Sequence, residues 1–228
     1  MMIAVDNVSM RLRAGHQEVT ILDSVSFYVP AKQIVAIVGP SGSGKSTLLG
    51  LVAGLDKPTA GSIRLNGQEI TAWSEAAMTE FRRRHIGYVF QAYHLIPTLT
   101  ALENVALPLE LSGDPRALSR AQELLHQVGL ADRAGHYPVQ LSGGEQQRVA
   151  VARAFACYPP ILLADEPTGN LDSVTGQMVI DLLLALNHDH GSTLLLVTHD
   201  TQLAERAERM IAMRDGKVVS DTAPVLPE

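Results

Sequence analysis

The chain has 228 residues, 46% hydrophobic and 18% charged, a balance that excludes disordered, collagen-like and coiled-coil classes. Its formal charge of −6 has the wrong sign for a protein whose main task is to coat nucleic acid, so no nucleic-acid partner is expected. A single cysteine, Cys157, excludes an internal disulfide framework and fits a reducing compartment.

Ile3–Met10 and Ile21–Val29 alternate with a period near two and read as strands. Asp6 and Asn7 interrupt the start before a signal-peptide core forms. Ile34–Val38 is a continuous apolar run, the pattern of a strand buried on both faces. A glycine-rich loop follows, then a helical pattern over Ser46–Leu55. Ile63–Ile70 reads as a hairpin with Asn66-Gly67 at its turn. Glu75–Arg83 reads as a helix closed by Arg82-Arg83-Arg84-His85, cations that suit a C-terminal dipole.

From Ala101 to Leu130 the apolar residues Leu118, Ala121, Leu124, Leu125 and Val128 recur at helical spacing, punctuated by Pro108, Gly113 and Pro115. Cys157 reads as a buried small hydrophobe. Ile161–Ala164 and Thr193–Thr198 are buried-strand runs on either side of a helix over Val174–Leu186. His188-x-His190 lacks the third ligand a metal site needs. Met213–Val219 closes the pattern as a hairpin about Asp215-Gly216, and a loose tail follows Asp221. No apolar run is long enough to span a bilayer. The expectation is one domain, 1–228. A parallel α/β core with an antiparallel β layer takes 1–91 and 157–221. A helical subdomain takes 92–156, and a tail takes 222–228.

Two segments carry chemistry. Gly39-Pro40-Ser41-Gly42-Ser43-Gly44-Lys45-Ser46 fits G-x-x-x-x-G-K-[ST] between a buried strand and a helix. Its glycines let backbone amides curl around phosphate oxygens, and the helix start adds positive potential. Lys45 can reach the β- and γ-phosphates, and the Ser46 hydroxyl can bind Mg²⁺. Ile161–Ala164 leads into Asp165 and Glu166, two carboxylates at a strand end where open α/β sheets gather their ligands. Asp165 suits Mg²⁺, and Glu166 suits a general base that polarises the attacking water.

Leu141-Ser142-Gly143-Gly144-Glu145-Gln146-Gln147-Arg148 resembles the LSGGQ signature of ABC-type ATPase cassettes, with Glu145 in place of the usual Gln. Ser142 and its glycines precede a helical run, a second anion-binding helix start. One nucleotide does not need two cradles, so the second serves another copy. The resemblance spans roughly Ile3 to Val219 and implies a P-loop NTPase cassette with a RecA-like parallel-sheet core, an antiparallel β subdomain and a helical insertion. It also implies ATP and Mg²⁺ as ligands, ATP hydrolysis as the activity, and a head-to-tail dimer sandwiching two nucleotides.

By the same resemblance, Gln91 in Tyr88-Val89-Phe90-Gln91 is a Mg²⁺ ligand and the link to a membrane domain, and Asn170-Leu171-Asp172 passes signals between sites. His199 in Val197-Thr198-His199-Asp200 contacts the γ-phosphate beside Glu166. The nucleotide-binding set is thus Leu12, Gly39, Pro40, Ser41, Gly42, Ser43, Gly44, Lys45, Ser46, Thr47, Gln91, Ser142, Gly143, Gly144, Glu145 and Asp165. The metal set is Ser46, Gln91 and Asp165, and the catalytic pair is Glu166 and His199.

Ala164–Asp172, Leu95–Val105 and Ala204–Arg214 are similar to the lipoprotein-release and macrolide-export branch (LolD-, MacB- and YbbA-like), with the YbbA-like ATPases nearest. That branch implies a separate inner-membrane permease with few transmembrane helices, a possible periplasmic partner, and export, lipid extraction or mechanotransmission. The cassette would then sit on the cytoplasmic face. Two features depart from the pattern. Leu12 stands where many cassettes stack an aromatic on adenine, with Arg11 or Arg13 as substitutes, and Lys32-Gln33 replaces the usual Gly-Glu. Tyr93, His94, Leu95 and Ile96 could receive a permease helix or pack locally. The rival readings are a soluble ABC machine of DNA repair or translation, and a scaffolding cassette of the cell-division type.

Overall fold

Alternating apolar side chains set the first strands. In the computed structural model, which describes residues 1–15 and 17–222, β1 (Ile3–Ala14) pairs antiparallel with β2 (Gln17–Val29) from Ile3↔Val29 to Ala14↔Gln17. Val25, Phe27 and Val29 are buried while Ser26 and Tyr28 face outward, so the sheet buries one face. β3 (Ile34–Val38) leads through a loop into helix α1 (Lys45–Val52). β4 (Ala60–Leu65) joins β1, and β5 (Gln68–Glu69) joins β4, for an antiparallel order β2-β1-β4-β5. The Asn66-Gly67 turn is left-handed at both residues, φ 48° and 77°, as a two-residue hairpin demands.

Contacts divide the chain into two compact units: Met1–Thr79 with the chain from Thr193 onward, and Glu80–Ser192. These boundaries enclose more than the expected 92–156 helical segment, because two strands and a long helix group with it. In the first unit, β8 (Thr193–Val197) and β9 (Arg209–Arg214) lie parallel to β3 on either side of it. The short helix α7 (Thr201–Ala204) connects them. β10 (Lys217–Thr222) returns antiparallel to β9 across an Asp215-Gly216 turn with φ 50° and 75°. β8 is buried along its length, which explains its unbroken apolar sequence. Thr222 ends β10, and the rest of the expected tail lies outside the described residues.

Helix α2 (Glu75–His85) ends in Arg82, Arg83, Arg84 and His85. Arg83 and Arg84 pair with Glu80, and Arg83 also donates to the Leu111 carbonyl at 2.7 Å. In the second unit, β6 (Ile86–Val89) and β7 (Ile161–Asp165) run parallel. Helices α3 (Ala101–Leu111), α4 (Ala117–Gln127), α5 (Gly143–Ala154) and α6 (Ser173–His190) complete it. Thr100 and Glu103 form a capping box that starts α3.

Three expectations need correction. Pro108 lies inside α3 and does not break it; it leaves the Asn104 carbonyl without its usual helical partner, a cost the helix bears while burying Val105, Ala106 and Leu109. Leu118 faces out, 52% exposed, while Ala117, Ala121, Leu124 and Leu125 form the buried stripe of α4 and Val128, just past its end, is also buried. Cys157 is only half-buried, its Sγ 4.0 Å from the Ser112 hydroxyl, and burial pushes its thiol above the usual range.

Candidate functional site

The first unit carries the phosphate-type loop. Gly44 caps α1 at φ 93°, a left-handed conformation that suits glycine. No side chain caps this helix, and no acidic residue stands in its first turn. Its opening amides therefore point outward with the positive end of the helix dipole behind them. Lys45 is buried, and its Nζ donates to the Gly39 and Pro40 carbonyls, each at 2.9 Å. The Ser43 hydroxyl is buried with no hydrogen-bond partner among the described residues. An orphan donor of that kind asks for a ligand oxygen.

The loop is braced from far along the chain. The Ser43 carbonyl accepts from the Gly216 amide at 3.2 Å, and the Gly216 carbonyl accepts from the Asp23 amide at 2.9 Å. A Cβ at Gly216 would meet the Ile21 carbonyl at 2.5 Å, so only glycine fits there without movement.

His199 is exposed just beyond β8. The Thr198 amide donates to the Ile37 carbonyl at 3.1 Å, and the Asp200 amide to the Thr198 hydroxyl at 3.0 Å. These bonds fix the backbone on both sides of the histidine. Leu12 lies on β1 opposite Val19 of β2, both about half exposed, an apolar cross-strand pair.

The second unit carries the carboxylates and the signature. β7 ends at Asp165, and Glu166 turns the chain with φ 43°. The Glu166 carbonyl accepts from the Gly169 amide at 3.0 Å. Burial, and then the Asp165 carboxylate, push the Tyr88 phenol well above its ordinary range. The Asn170 side chain donates to the Gln91 carbonyl at 2.9 Å, and the Gln91 side chain lies on Gly169, where a Cβ would come within 2.6 Å of Nε2. Gln91 and the turn after Glu166 are thus one piece.

At the start of α5, Ser142 and Glu145 form a capping box. The Ser142 amide donates to Glu145 Oε2 at 2.8 Å, and the Glu145 amide to the Ser142 hydroxyl at 3.3 Å. Arg133 Nε donates to Glu145 Oε1 at 3.3 Å. The Ser142 amide, with Arg133 behind it, holds the Glu145 carboxyl below the usual glutamate range.

Residues 22–169 match the family model described as ABC transporter. The chain belongs to the ABC transporter family. This cassette is 50% identical over 218 residues to the ABC transporter ATP-binding protein YbbA of Escherichia coli (strain K12), covering 95% of this chain and 96% of that one. It is 47% identical over 219 residues to the ABC transporter ATP-binding protein Rv0986 of Mycobacterium tuberculosis (strain ATCC 25618 / H37Rv), covering 95% and 88%. Among solved structures it matches the dimeric, post-hydrolysis ATP-binding cassette MJ0796 bound to ADP and Pi. That match has a TM-score of 0.91 and 42% identity over 97% of this chain and 98% of that one. The cassette is therefore an ATP-binding, ATP-hydrolysing subunit of the ABC transporter type, with the expected mixed α/β fold.

One feature of the cassette lay outside the sequence reading. Tyr93 and His94, just after Gln91, are both left-handed at φ 57° and 49°. Non-glycine residues in that region cost about 1–2 kcal/mol each. Arg153, in the last turn of α5, donates to the Tyr93 carbonyl at 2.9 Å and the His94 carbonyl at 2.6 Å. Charge-assisted bonds of this kind contribute about 1.5–3 kcal/mol each, enough to offset the strain. The rings of Tyr88, Phe90 and His94 stack in series at 4.0 and 4.6 Å. Beside them runs a groove of about 260 Å³ lined by Arg83, Phe90, His94, Arg153 and Cys157. Val19 pairs with Leu12 only seven residues earlier, whereas the grip of Arg153 and the bracing role of Gly216, whose turn is legible locally, depend on partners distant in sequence.

Proposed function

We propose that this cassette binds ATP with Mg²⁺, closes as a head-to-tail homodimer around two nucleotides, and reopens on hydrolysis to drive a separate membrane permease. The observation that carries the reading is the start of α1, a helix with neither a side-chain cap nor an acidic residue in its first turn. The buried, unpartnered Ser43 hydroxyl and the Lys45 amine fit a phosphate there.

The amides of Gly39–Thr47 and the Lys45 ammonium hold phosphate oxygens. Ser46, Gln91 and Asp165 are the residues that would hold Mg²⁺, which when bound would supply charge neutralisation to the phosphates. Glu166 accepts a proton from the attacking water, and His199 orients the γ-phosphate side of the reaction. Leu12, widened by Val19, offers apolar contact to the base in place of an aromatic ring. Ser142, Gly143, Gly144 and Glu145 serve the nucleotide of the second copy. The dimeric state of MJ0796 supports that assignment by likeness.

The aromatic ladder and the basic groove beside Gln91 suit a permease segment with apolar and acidic side chains. Among the described residues no helix is long and apolar enough to cross a membrane, so in this reading a permease tethers the cassette to the cytoplasmic face. The relatives named as ABC transporter ATP-binding proteins support a transporter over a repair, translation or cell-division machine; export, lipid extraction or mechanotransmission with a periplasmic partner is the finer reading proposed here.

Glu166→Gln tests the core of this reading. Turnover should fall by about 10²–10⁴-fold while an ATP-bound dimer accumulates on a sizing column. Wild-type hydrolysis would overturn the assignment of Glu166. Tagged Glu166→Gln, solubilised from native membranes with ATP, should retain a polytopic membrane protein. Recovery of ribosomal or DNA-bound proteins alone would leave the ATPase and remove the transporter.

A further inference from the structure

Helix α5 begins at the Ser142–Gly144 turn and carries Arg153 about 15 Å along its axis. Two of its side chains reach the segment around Gln91. Gln147 is fully buried and donates to the Phe90 carbonyl at 3.3 Å, one residue before Gln91. Arg153 spends both terminal nitrogens on the carbonyls of Tyr93 and His94, two and three residues after it. Between these grips the chain makes its consecutive left-handed turns, and the His94 amide closes back on the Ala92 carbonyl at 2.5 Å. Neither Tyr93 nor His94 favours that backbone, so the kink exists because something outside it holds it.

The kink has two outputs. Through Gln91 it meets Gly169 and Asn170, in the turn that follows Glu166. Through the Tyr93 ring it meets the signature turn itself, where the hydroxyl would stand 2.8 Å from a Cβ on Gly143. One helix therefore holds the kink at its far end and receives the kink's aromatic side chain at its start.

We propose that Arg153 is a positioning residue for hydrolysis: by holding the Tyr93-His94 kink from the end of α5 it sets Gln91 and the signature turn together. Arg153 touches neither nucleotide nor metal in this scheme. Releasing it lets Tyr93 and His94 relax to ordinary backbone angles, which withdraws Gln91 from Gly169 and the Tyr93 ring from Gly143. Nucleotide capture at α1 is unaffected, because the phosphate loop belongs to the other unit and has its own brace at Gly216. The inference rests on the reading of Gln91 and Ser142–Gly144 as nucleotide-site residues.

The test uses the full chain and four variants: Gln91→Ala, Arg153→Gln, Arg153→Lys, and Arg153→Gln combined with His94→Gly. Steady-state ATPase gives kcat and KM, and a fluorescent ATP analogue gives affinity. Arg153→Gln should lower kcat by about ten- to a hundredfold, with KM and analogue affinity within about twofold of wild type. Arg153→Lys, which keeps one carbonyl contact, should fall between the two.

Glycine at 94 adopts the left-handed backbone at no steric cost, so His94→Gly should restore at least a third of the lost kcat in the Arg153→Gln background. If Arg153→Gln does not fold, Arg153→Lys with and without His94→Gly gives the same comparison. Slow Gln91→Ala beside wild-type kcat in the Arg153 variants overturns the proposal and leaves the site reading intact. Wild-type kcat in Gln91→Ala overturns the site reading beneath it. A parallel loss of analogue affinity and kcat, with no rescue by His94→Gly, reduces Arg153 to a structural residue.

Discussion

Helix α1 begins after a glycine-rich loop and helix α5 begins with two glycines of its own, and their first turns are wired differently. The start of α1 has no side-chain cap and no acid, and its one buried cation is occupied by loop carbonyls. At α5 the start is closed by its own residues: Ser142 and Glu145 bond each other's amides, and Glu145 brings a negative charge that Arg133 offsets. An open helix start binds an anion as it stands. A self-capped one gains less from an anion, because two of its amides, those of Ser142 and Glu145, already have partners and a carboxylate is present. The contrast fits a scheme in which α1 captures nucleotide first and α5 engages a second copy's nucleotide only weakly, so that closure stays reversible.

The largest test of this contrast is Lys45→Ala, which should weaken binding of a fluorescent ATP analogue by about 10–100-fold, while Ser142→Ala leaves that affinity unchanged in the separate protomer. Equal losses in both would erase the distinction. Next comes Gly216→Val, which drives a side chain into the Ile21 carbonyl and loosens the Ser43 end of the loop. Analogue affinity should drop about tenfold, measured alongside thermal stability to separate loop damage from global unfolding.

Ser142→Ala removes a cap and should cost about 0.5–2 kcal/mol of stability by denaturant titration, with no comparable capping loss available at α1. The smallest effect is the pH dependence of Glu145. Its carboxyl is held below the usual range, so its stabilisation is complete above the ordinary glutamate value and is lost as pH falls through the lowered one. The stability gap between wild type and Glu145→Gln should therefore shrink as pH drops from about 5 toward about 3. A gap that widens over that range would show that the capping box does not govern the titration.

Much of this was readable beforehand, for reasons of range. Asn66-Gly67 and Asp215-Gly216 announce hairpins because two adjacent residues must tolerate positive φ. The phosphate loop is legible because its function needs contiguous residues. Glu145 stands in the signature as a replacement for Gln, and Ser at one position with Glu three later is also the signature of the capping box that forms there. Pro108 misled because the packing of Val105, Ala106 and Leu109 holds the helix together across the bond that the proline removes. Leu118 misled because its neighbour Ala117, one helical step away, takes the buried place. The grip of Arg153 and the bracing role of Gly216 are not legible in the sequence, since their partners lie 59 and 60 residues away in one case and far upstream in the other.

The Gly216 brace carries a consequence for biosynthesis. A ribosome makes the chain in order, so Ser43 emerges long before the hairpin whose amide it accepts. The loop for the nucleotide is thus among the earliest segments to be synthesised and among the last to be completed. Nascent chains should acquire nucleotide affinity only once β9 and β10 have been made, and shorter translation products would not compete with finished subunits for ATP.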